Sequence, residues 1–368
     1  LTNAEGAPVA IEVFPGNTAD PATFPPQVRK VQDRFGVAEV IWVGDRGMVT
    51  SAQVRQLQDI AGLSWVTALR APTIQQLVEA GAIQTSLFDT QNLAEVTHPH
   101  YPGERLIVCH NPLLGEKRAK TREDMLQATE RQLAKVKAMV ERGAAGGRAG
   151  LQGAATIGER VGRVVNRYSM AKHFRRTITD TSFSYERDAT AIAEEAKLDG
   201  LYVLRTNVPA ARLSTRAAVL AYKSLGQVED AFRHFKLRDL EVRPIYHYRE
   251  GRVRAHLLLC MLAYAVQRTM EQQLAPLLFR DEAPPERTDP VAPAERSAAA
   301  QHKDQTKLTV SGFPVHSFRT LLAELARIVK NRVVASGASP ATAFELMTQP
   351  NPLQAKALDL LGVSLRSK

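Results

Sequence analysis

Cysteine is scarce: Cys109 and Cys260 are the only two in 368 residues. That excludes a disulfide scaffold and a multi-cysteine zinc site, and it suits a reducing cytoplasm. Long apolar runs are missing too. The best, Leu257 to Val266, has about half the roughly 20 residues that a membrane helix needs, so it reads as a buried core helix and no membrane partner is expected. The opening Leu-Thr-Asn-Ala-Glu-Gly has no basic stretch followed by an apolar one, so no secretory leader is expected there. It also lacks an initial Met, and Pro8 to Phe14 already reads as a strand, so the chain is expected to begin in the middle of a fold. No G-x-x-x-x-G-K-[ST] phosphate loop and no G-x-S-x-G nucleophile elbow occurs.

What is present resembles an ordinary globular composition: 44% hydrophobic and 23% charged residues, over a length that suggests two or three structural units. Lys plus Arg number 48 against 38 Asp plus Glu, a net +10 that favours contact with polyanions, nucleic acid above all. Most of the excess lies in one segment. From Tyr101 to Asp180 there are 16 Lys and Arg against 8 Asp and Glu. Lys117, Arg118, Lys120 and Arg122 open a long helical stretch. Arg160, Arg163 and Arg167 recur at helical spacing, followed by Lys172, Arg175 and Arg176. The pattern fits either a solvated helix face or a surface that contacts phosphates with little sequence preference.

Hydrophobic periodicity supplies the organisation. Pro8 to Phe14 reads as a strand stopped by Pro15 and Gly16, and Asp20 as a cap for a helix from about Ala22 to Phe35. Val40 to Val43 is an apolar run too short for a helix, hence a buried strand, which delivers Gly44-Asp45-Arg46-Gly47. A helix over Ser51 to Asp59 and a strand over Ser64 to Leu69 continue an α/β alternation. The pattern then changes. Short strands (Leu106 to Cys109, Tyr202 to Arg205) flank a long helix from about Glu116 to Arg142, a Gly-Ala-rich break, a helix from about Ala154 to Ala171 and a strand over Phe174 to Tyr185. This block reads as an insertion. Helices over Ser214 to Lys236 and Arg252 to Glu271 follow, the second apolar nearly all round and so expected in the core. Glu282 to Gln305, rich in Pro, Ala and charge, reads as a flexible linker. Helices over Ser317 to Val334 and Pro352 to Leu361 end the chain.

Two positions stand out for chemistry. Asp45 follows a buried strand, and sites in open α/β sheets form at the carboxyl ends of strands, where a carboxylate can hold Mg²⁺. Such an Asp can equally cap the next turn. Glu229 is seven residues from both Tyr222 and Lys236, which places all three on one face of a continuous helix, with Phe232 and Phe235 packing beside them. An ordinary charged surface helix is the alternative. His98, His100, Cys109 and His110 match no zinc spacing.

These residues converge on a family. The chain resembles the DDE transposases of bacterial insertion sequences, those with the Tyr-Arg-Glu-Lys signature (insertion sequence family four and relatives). The strand ending Ile41-Trp42-Val43-Gly44-Asp45-Arg46-Gly47 is similar to the one that carries the family's second catalytic aspartate. Tyr222, Glu229 and Lys236 match the spacing Y-x2-R-x3-E-x6-K, and Arg243 to His247 with Arg252 to His256 resemble the segment after the glutamate. The resemblance spans about residues 1 to 270. It implies an α/β fold: a ribonuclease H-like catalytic core interrupted by a β-rich and helical insertion, with a helical C-terminal tail. The corresponding domains are 1–71 (first part of the core), 72–210 (insertion), 211–281 (second part with the glutamate helix), 282–306 (flexible linker) and 307–368 (helical tail).

The resemblance also implies metal-dependent DNA strand cleavage and strand transfer, with two Mg²⁺ (or Mn²⁺) ions held in part by Asp45 and Glu229. Tyr222, Lys236 and Arg233 would contact DNA phosphates, and Lys117, Arg118, Lys120, Arg163, Arg167, Arg175 and Arg176 would bind DNA elsewhere. The implied partners are double-stranded DNA at element ends and targets and a second copy in a homodimer, in a bacterial cytoplasm at the nucleoid. Two departures matter. The signature arginine is Leu225 here, with Arg233 as a substitute, and no residue matches the first catalytic aspartate, since Asp20 reads as a cap. The chain is therefore expected to be a fragment or a truncated copy without activity of its own, any cleavage belonging to the full-length parent. The alternatives are a truncated remnant that only binds DNA or dimerises, and a ribonuclease H-like nuclease unrelated to transposition.

Overall fold

The computed structural model describes residues 1–3, 6–47, 54, 62–88, 92–147, 149–235, 240, 242–334, 336–337, 341 and 343–365. The helix expected over Ser51 to Asp59 falls almost entirely outside these, as does Lys236. The chain divides into two compact units: Asp20–Tyr222, and the segments Leu1–Ala19 and Lys223–Lys368 taken together.

The Asp20–Tyr222 unit is built on a five-stranded mixed sheet. Its strands are Val40–Val43 (β1), Leu63–Ala68 (β2), Leu93–Val96 (β3), Arg105–His110 (β4) and a strand that returns late in the chain, Leu201–Thr206. Phe174–Ile178 (β5) and Phe183–Arg187 (β6) come between, so the late strand is β7. The order across the sheet is β1-β2-β7-β4-β3. β1 runs parallel to β2, Val40 opposite Leu63, and the other pairings are antiparallel. The period-2 rule decides what each strand buries. Leu106 and Val108 of β4 with Leu201 and Val203 of β7 meet Ile74 and Leu77 of helix Ala71–Glu79, while Leu63 and Trp65 of β2 meet Val28 of helix Asp20–Phe35.

We number these two helices α2 and α1. Between β4 and β7 stand Pro112–Ala144 (α3), Ala154–Arg167 (α4), the β5–β6 hairpin and Ala189–Ala196 (α5). Asn111 starts α3 by accepting the Leu114 N–H at 3.1 Å, with Pro112 in the first turn. Its buried positions are Arg122, Leu126, Thr129, Leu133, Val136, Val140 and Gly143, alternating steps of four and three, which is the seam of a helix paired with another. The partner face is Ile157, Val161 and Val165 of α4, closed off by Phe174 and Phe183 of the hairpin. The turn between α3 and α4 has no room for side chains. A Cβ on Gly150 would lie 2.1 Å from the Gly143 Cα, and one on Gly143 would lie 2.5 Å from the Leu151 carbonyl oxygen.

Several expectations need correction. Phe174 to Tyr185 is two strands rather than one. Residues 179–182 form a turn from hydroxyl bonding, Thr179 Oγ1 to Ser182 Oγ at 2.6 Å, without the Gly or Pro that marks most turns. Pro8 to Phe14 is no strand: Pro8 makes one isolated bridge to Thr2, and among the described residues no neighbour extends the ladder. The stretch Ser214 to Lys236 is divided at Ser224 into Thr215–Lys223 (α6) and Leu225–Arg233 (α7).

In the second unit, Glu250–Gln273 (α8) matches the expected extent but not the expected burial. Tyr264 and Gln267 are buried, whereas Leu259 and Val266 are 65% and 60% exposed. Its apolar surface runs round the helix, and the described residues pack along one stripe of it. The expected linker is ordered in its last part. Ala298–Thr306 (α9) is a helix capped by Ser297, whose N–H and hydroxyl both donate to Asp281. Lys303, 3% exposed, donates to the carbonyls of Ala275, Leu278 and Arg280 at 2.9–3.2 Å and to Glu282 at 2.6 Å. Ser317 to Val334 is helical over Phe318–Leu325 (α10) alone. Beyond it, Lys330–Val333 (β8), flanked by Val329 and Val334, pairs with Phe344–Met347 (β9). Pro352–Leu360 (α11) forms as expected, under a capping box of Asn351 and Gln354.

The glycine turn gives a paired test. Gly150→Ala should destabilise the protein by about 1–3 kcal/mol, because backbone must move to admit the methyl group. Gly158→Ala, where a Cβ meets nothing within 4 Å in mid-helix, should stabilise it by roughly 0.4–1 kcal/mol. Denaturant midpoints read both, and equal effects would contradict the packing described.

Candidate active site and nucleic-acid interface

β1 carries the chain to Asp45 at the carboxyl end of a parallel strand pair. The Gly44 N–H donates to the Val66 carbonyl at 3.1 Å, and the Thr67 hydroxyl on β2 donates to the Asp45 carbonyl at 3.3 Å. These two bonds fix the backbone on either side of the turn. The Asp45 side chain is exposed, and its Oδ1 accepts the Gly47 N–H at 2.9 Å. Both readings of Asp45 thus meet in one place: it caps its own turn, and it sits at a strand end where ligands bind in open sheets. Gly47 lets the turn close tightly on this carboxylate, since a Cβ there would lie 3.3 Å from Asp45 Oδ1 and push it slightly aside. Thr67 was not legible as part of this site, because it lies 22 residues away in sequence and enters through the β1–β2 register.

Glu229 stands on α7 with its side chain 73% exposed, and Arg233, one turn on, lies 4.0 Å from its carboxylate. Such a pair is worth little in water, about 0–1 kcal/mol. α7 turns Ala231 inward. His234 just beyond it is buried, its Nδ1 donating to the Asp230 carbonyl at 2.8 Å and its ring 5.6 Å from Tyr264 of α8. Phe235 also packs on Tyr264, at 5.4 Å, whereas Phe232 is 58% exposed. Tyr222 is half-buried at the end of α6. The break at Ser224 means that Tyr222 and Glu229 are not seven residues apart on one uninterrupted helix, so the argument for a shared face does not hold. Lys236 lies outside the described residues. Asp45 and Tyr222 belong to one unit, Glu229 and Arg233 to the other. Among the described residues, no three His, Cys, Asp or Glu side chains form a group that could hold a metal ion. That includes His98, His100, Cys109 and His110.

The basic residues of the insertion sort into two kinds. Some are committed internally. Arg118 donates to the carbonyls of Leu198 and Leu201 at 3.1 and 3.2 Å. Arg122 is buried and grips the Asp199 carboxylate with both Nη atoms. Arg187 of β6 bridges Glu123 and Glu130, two turns apart on α3, at 2.8–3.1 Å, which holds the Glu123 carboxyl below its ordinary range. Burial alone would raise Glu195, but Lys172 and His173 beside it leave it below the usual carboxylate range. Arg175 pairs with Asp188 at 3.0 Å, and that guanidinium, with the Ala191 N–H, lowers the Asp188 carboxyl. Lys117, Lys120, Arg163, Arg167 and Arg176 are exposed. Arg163 pairs with Glu159 on its own helix, and Arg167 lies 5.6 Å from the Tyr168 ring.

A family model described as the transposase DDE domain matches residues 1–266. No curated protein and no solved structure matches the chain.

The division between internal and surface arginines is measurable. Arg122→Ala leaves Asp199 half-desolvated without its partner and should cost roughly 3 kcal/mol of stability. Arg163→Ala removes a solvated pair and should shift stability by less than about 0.5 kcal/mol. Urea unfolding of both variants checks this, and a neutral Arg122→Ala would contradict its assignment as a structural residue.

Proposed function

Because the chain belongs to the transposase DDE-domain family, whose model spans its first 266 residues, we propose that it carries the DDE domain of an insertion-sequence transposase, an enzyme that cuts DNA strands and transfers them to new sites. The family match carries this reading. Asp45 at the carboxyl end of β1, next to a glycine and exposed, supports it. In this reading the chain is of the family-four type with the Tyr-Arg-Glu-Lys signature. Its α/β architecture is a ribonuclease H-like core interrupted over 72–210, with the core resuming over 211–281, a linker over 282–306 and a helical tail over 307–368. It works at the nucleoid in a bacterial cytoplasm, as a homodimer on double-stranded element ends. No helix among the described residues is long and apolar enough to cross a membrane.

Asp45 and Glu229 are the carboxylates on which the chemistry rests, and Tyr222, Arg233 and Lys236 steady the phosphate being cut. Members of the family use divalent metal ions, Mg²⁺ or Mn²⁺, two per site. The described residues do not by themselves assemble the donors for such a pair: Asp45 Oδ1 is engaged by the Gly47 amide, Glu229 faces Arg233, and no third ligand joins either one.

The test uses the protein expressed from its own gene, a DNA fragment bearing the ends of its element, and Mg²⁺. Asp45→Asn and Glu229→Gln should each reduce strand cleavage by at least about 100-fold, beyond what the loss of an outer-shell partner costs a metal site. DNA binding should stay within about twofold of wild type. Full cleavage by Glu229→Gln would overturn its role. Binding without cleavage by the wild type would leave a DNA-binding remnant, and cleavage without joining would leave a nuclease of the same fold.

A further inference from the structure

Positive charge is not spread evenly over the basic residues of the insertion. Residues 154–179 hold six Lys and Arg against a single acidic residue, Glu159, so this stretch supplies five of the chain's ten net charges. Ile157, Val161 and Val165 fix which way α4 faces, since they are buried against α3 and the β5–β6 hairpin. At about 100° per residue, Arg160, Arg163 and Arg167 then fall within an arc of roughly 60° on a face turned away from that stripe. They extend over about 10 Å of helix axis, along which one strand of a duplex presents about three phosphates. All three side chains are exposed, as is Arg176 on β5. Arg160 and Arg176 enter no ion pair among the described residues, and Arg163 holds only the solvated Glu159.

The neighbouring cations are occupied. Arg118 and Arg122 brace the approach to β7, Arg187 clamps α3, Lys172 pairs with Glu195 and Arg175 with Asp188. The arc carries no large apolar side chain; Thr156 completes it. That composition suits a polyanion rather than a lipid surface or an apolar protein groove. The helix is also rigidly seated, with the Gly143–Gly150 contact at one end of its seam and the hairpin aromatics along it.

We propose that this face of α4, formed by Arg160, Arg163 and Arg167, docks the phosphate backbone of duplex DNA without reading its sequence. The proposal rests on the reading that the chain binds DNA, and adds which surface does so and which basic residues do not.

The experiment measures binding of the whole protein to a duplex of about 30 base pairs by fluorescence anisotropy over a series of NaCl concentrations. Each phosphate contact contributes about 0.9 to the slope of log K against log salt. The triple variant Arg160→Ala, Arg163→Ala, Arg167→Ala should lower that slope by about 2 to 3 and weaken binding at 0.1 M salt by on the order of 100-fold, equally for unrelated sequences. The corresponding triple Arg→Lys variant should restore the slope, because the charges remain. A control triple, Arg131→Ala, Lys135→Ala, Lys137→Ala, removes the same net charge from exposed positions of α3 and should change the slope by less than 1. Equal losses in the two Ala triples would overturn the proposal in favour of net charge alone. An unchanged slope in the α4 triple, with circular dichroism as in wild type, would overturn it while leaving DNA binding to another surface. A wild-type protein that binds heparin or an acidic protein but no duplex would remove both the proposal and the reading beneath it.

Discussion

The Asp20–Tyr222 unit depends on one strand arriving late. β7 inserts between β2 and β4 after the 132 residues from 69 to 200, and it is held there by more than ladder bonds. The Thr206 hydroxyl donates to the Trp65 carbonyl at 2.5 Å, and the Asn207 side chain accepts the Trp65 N–H at 2.8 Å. One residue earlier, Arg205 is buried and takes both oxygens of Glu104 at 2.5–2.6 Å beneath the Tyr101 ring. An ion pair in such a place is costly to break, since either partner alone would be an uncompensated buried charge. Closure entropy grows only slowly with the length of the excursion, which is why so long an insertion is compatible with the sheet. β1, and with it Asp45, reaches the rest of the sheet through β2, so the geometry of the candidate carboxylate is set by a pairing more than a hundred residues away.

The arginines show how the same residue type serves opposed ends. Arg105, Arg122, Arg187 and Arg205 each meet a carboxylate in bidentate or bridging fashion, the geometry for which a planar guanidinium is suited and an ammonium is not. Lys303, buried at the turn after α8, works differently: its three protons are shared among carbonyls and Glu282, so it acts as a point charge gathering the end of a helix. Neither use leaves charge for a partner. The basic character of the whole chain therefore overstates what is available at the surface and understates how local that surface is.

Elements defined by short-range patterns were readable in advance. Val-Ile-Trp-Val at 40–43 is a strand with the expected bounds, and the Gly-Ala-rich break that ends α3 lies where composition put it, although α3 begins at Pro112, four residues before its expected start at Glu116. What failed had no local signal. The break at Ser224 involves a residue with helical backbone angles, φ −65° and ψ −16°, and the nearby Gly226 lies inside α7 rather than at the break. The turn at 179–182 is made by hydroxyl groups. The exposed leucines of α8 look like core because periodicity reports apolarity and not what covers it. At the candidate site, Asp45 was legible from its place after a strand. The tie from Thr67 and the internal commitment of Arg118 and Arg122 were not, since each depends on a partner from a distant segment.

The length of α3 has a consequence for reach. Thirty-three residues make a rod of about 50 Å, held stiff by its seam with α4 and by the Arg187 clamp. Its glycine tip is thus displaced from the sheet by the length of roughly 15 base pairs of B-form duplex. A duplex laid along this rod would be spanned over that many base pairs, a distance set by helix geometry rather than by any base sequence.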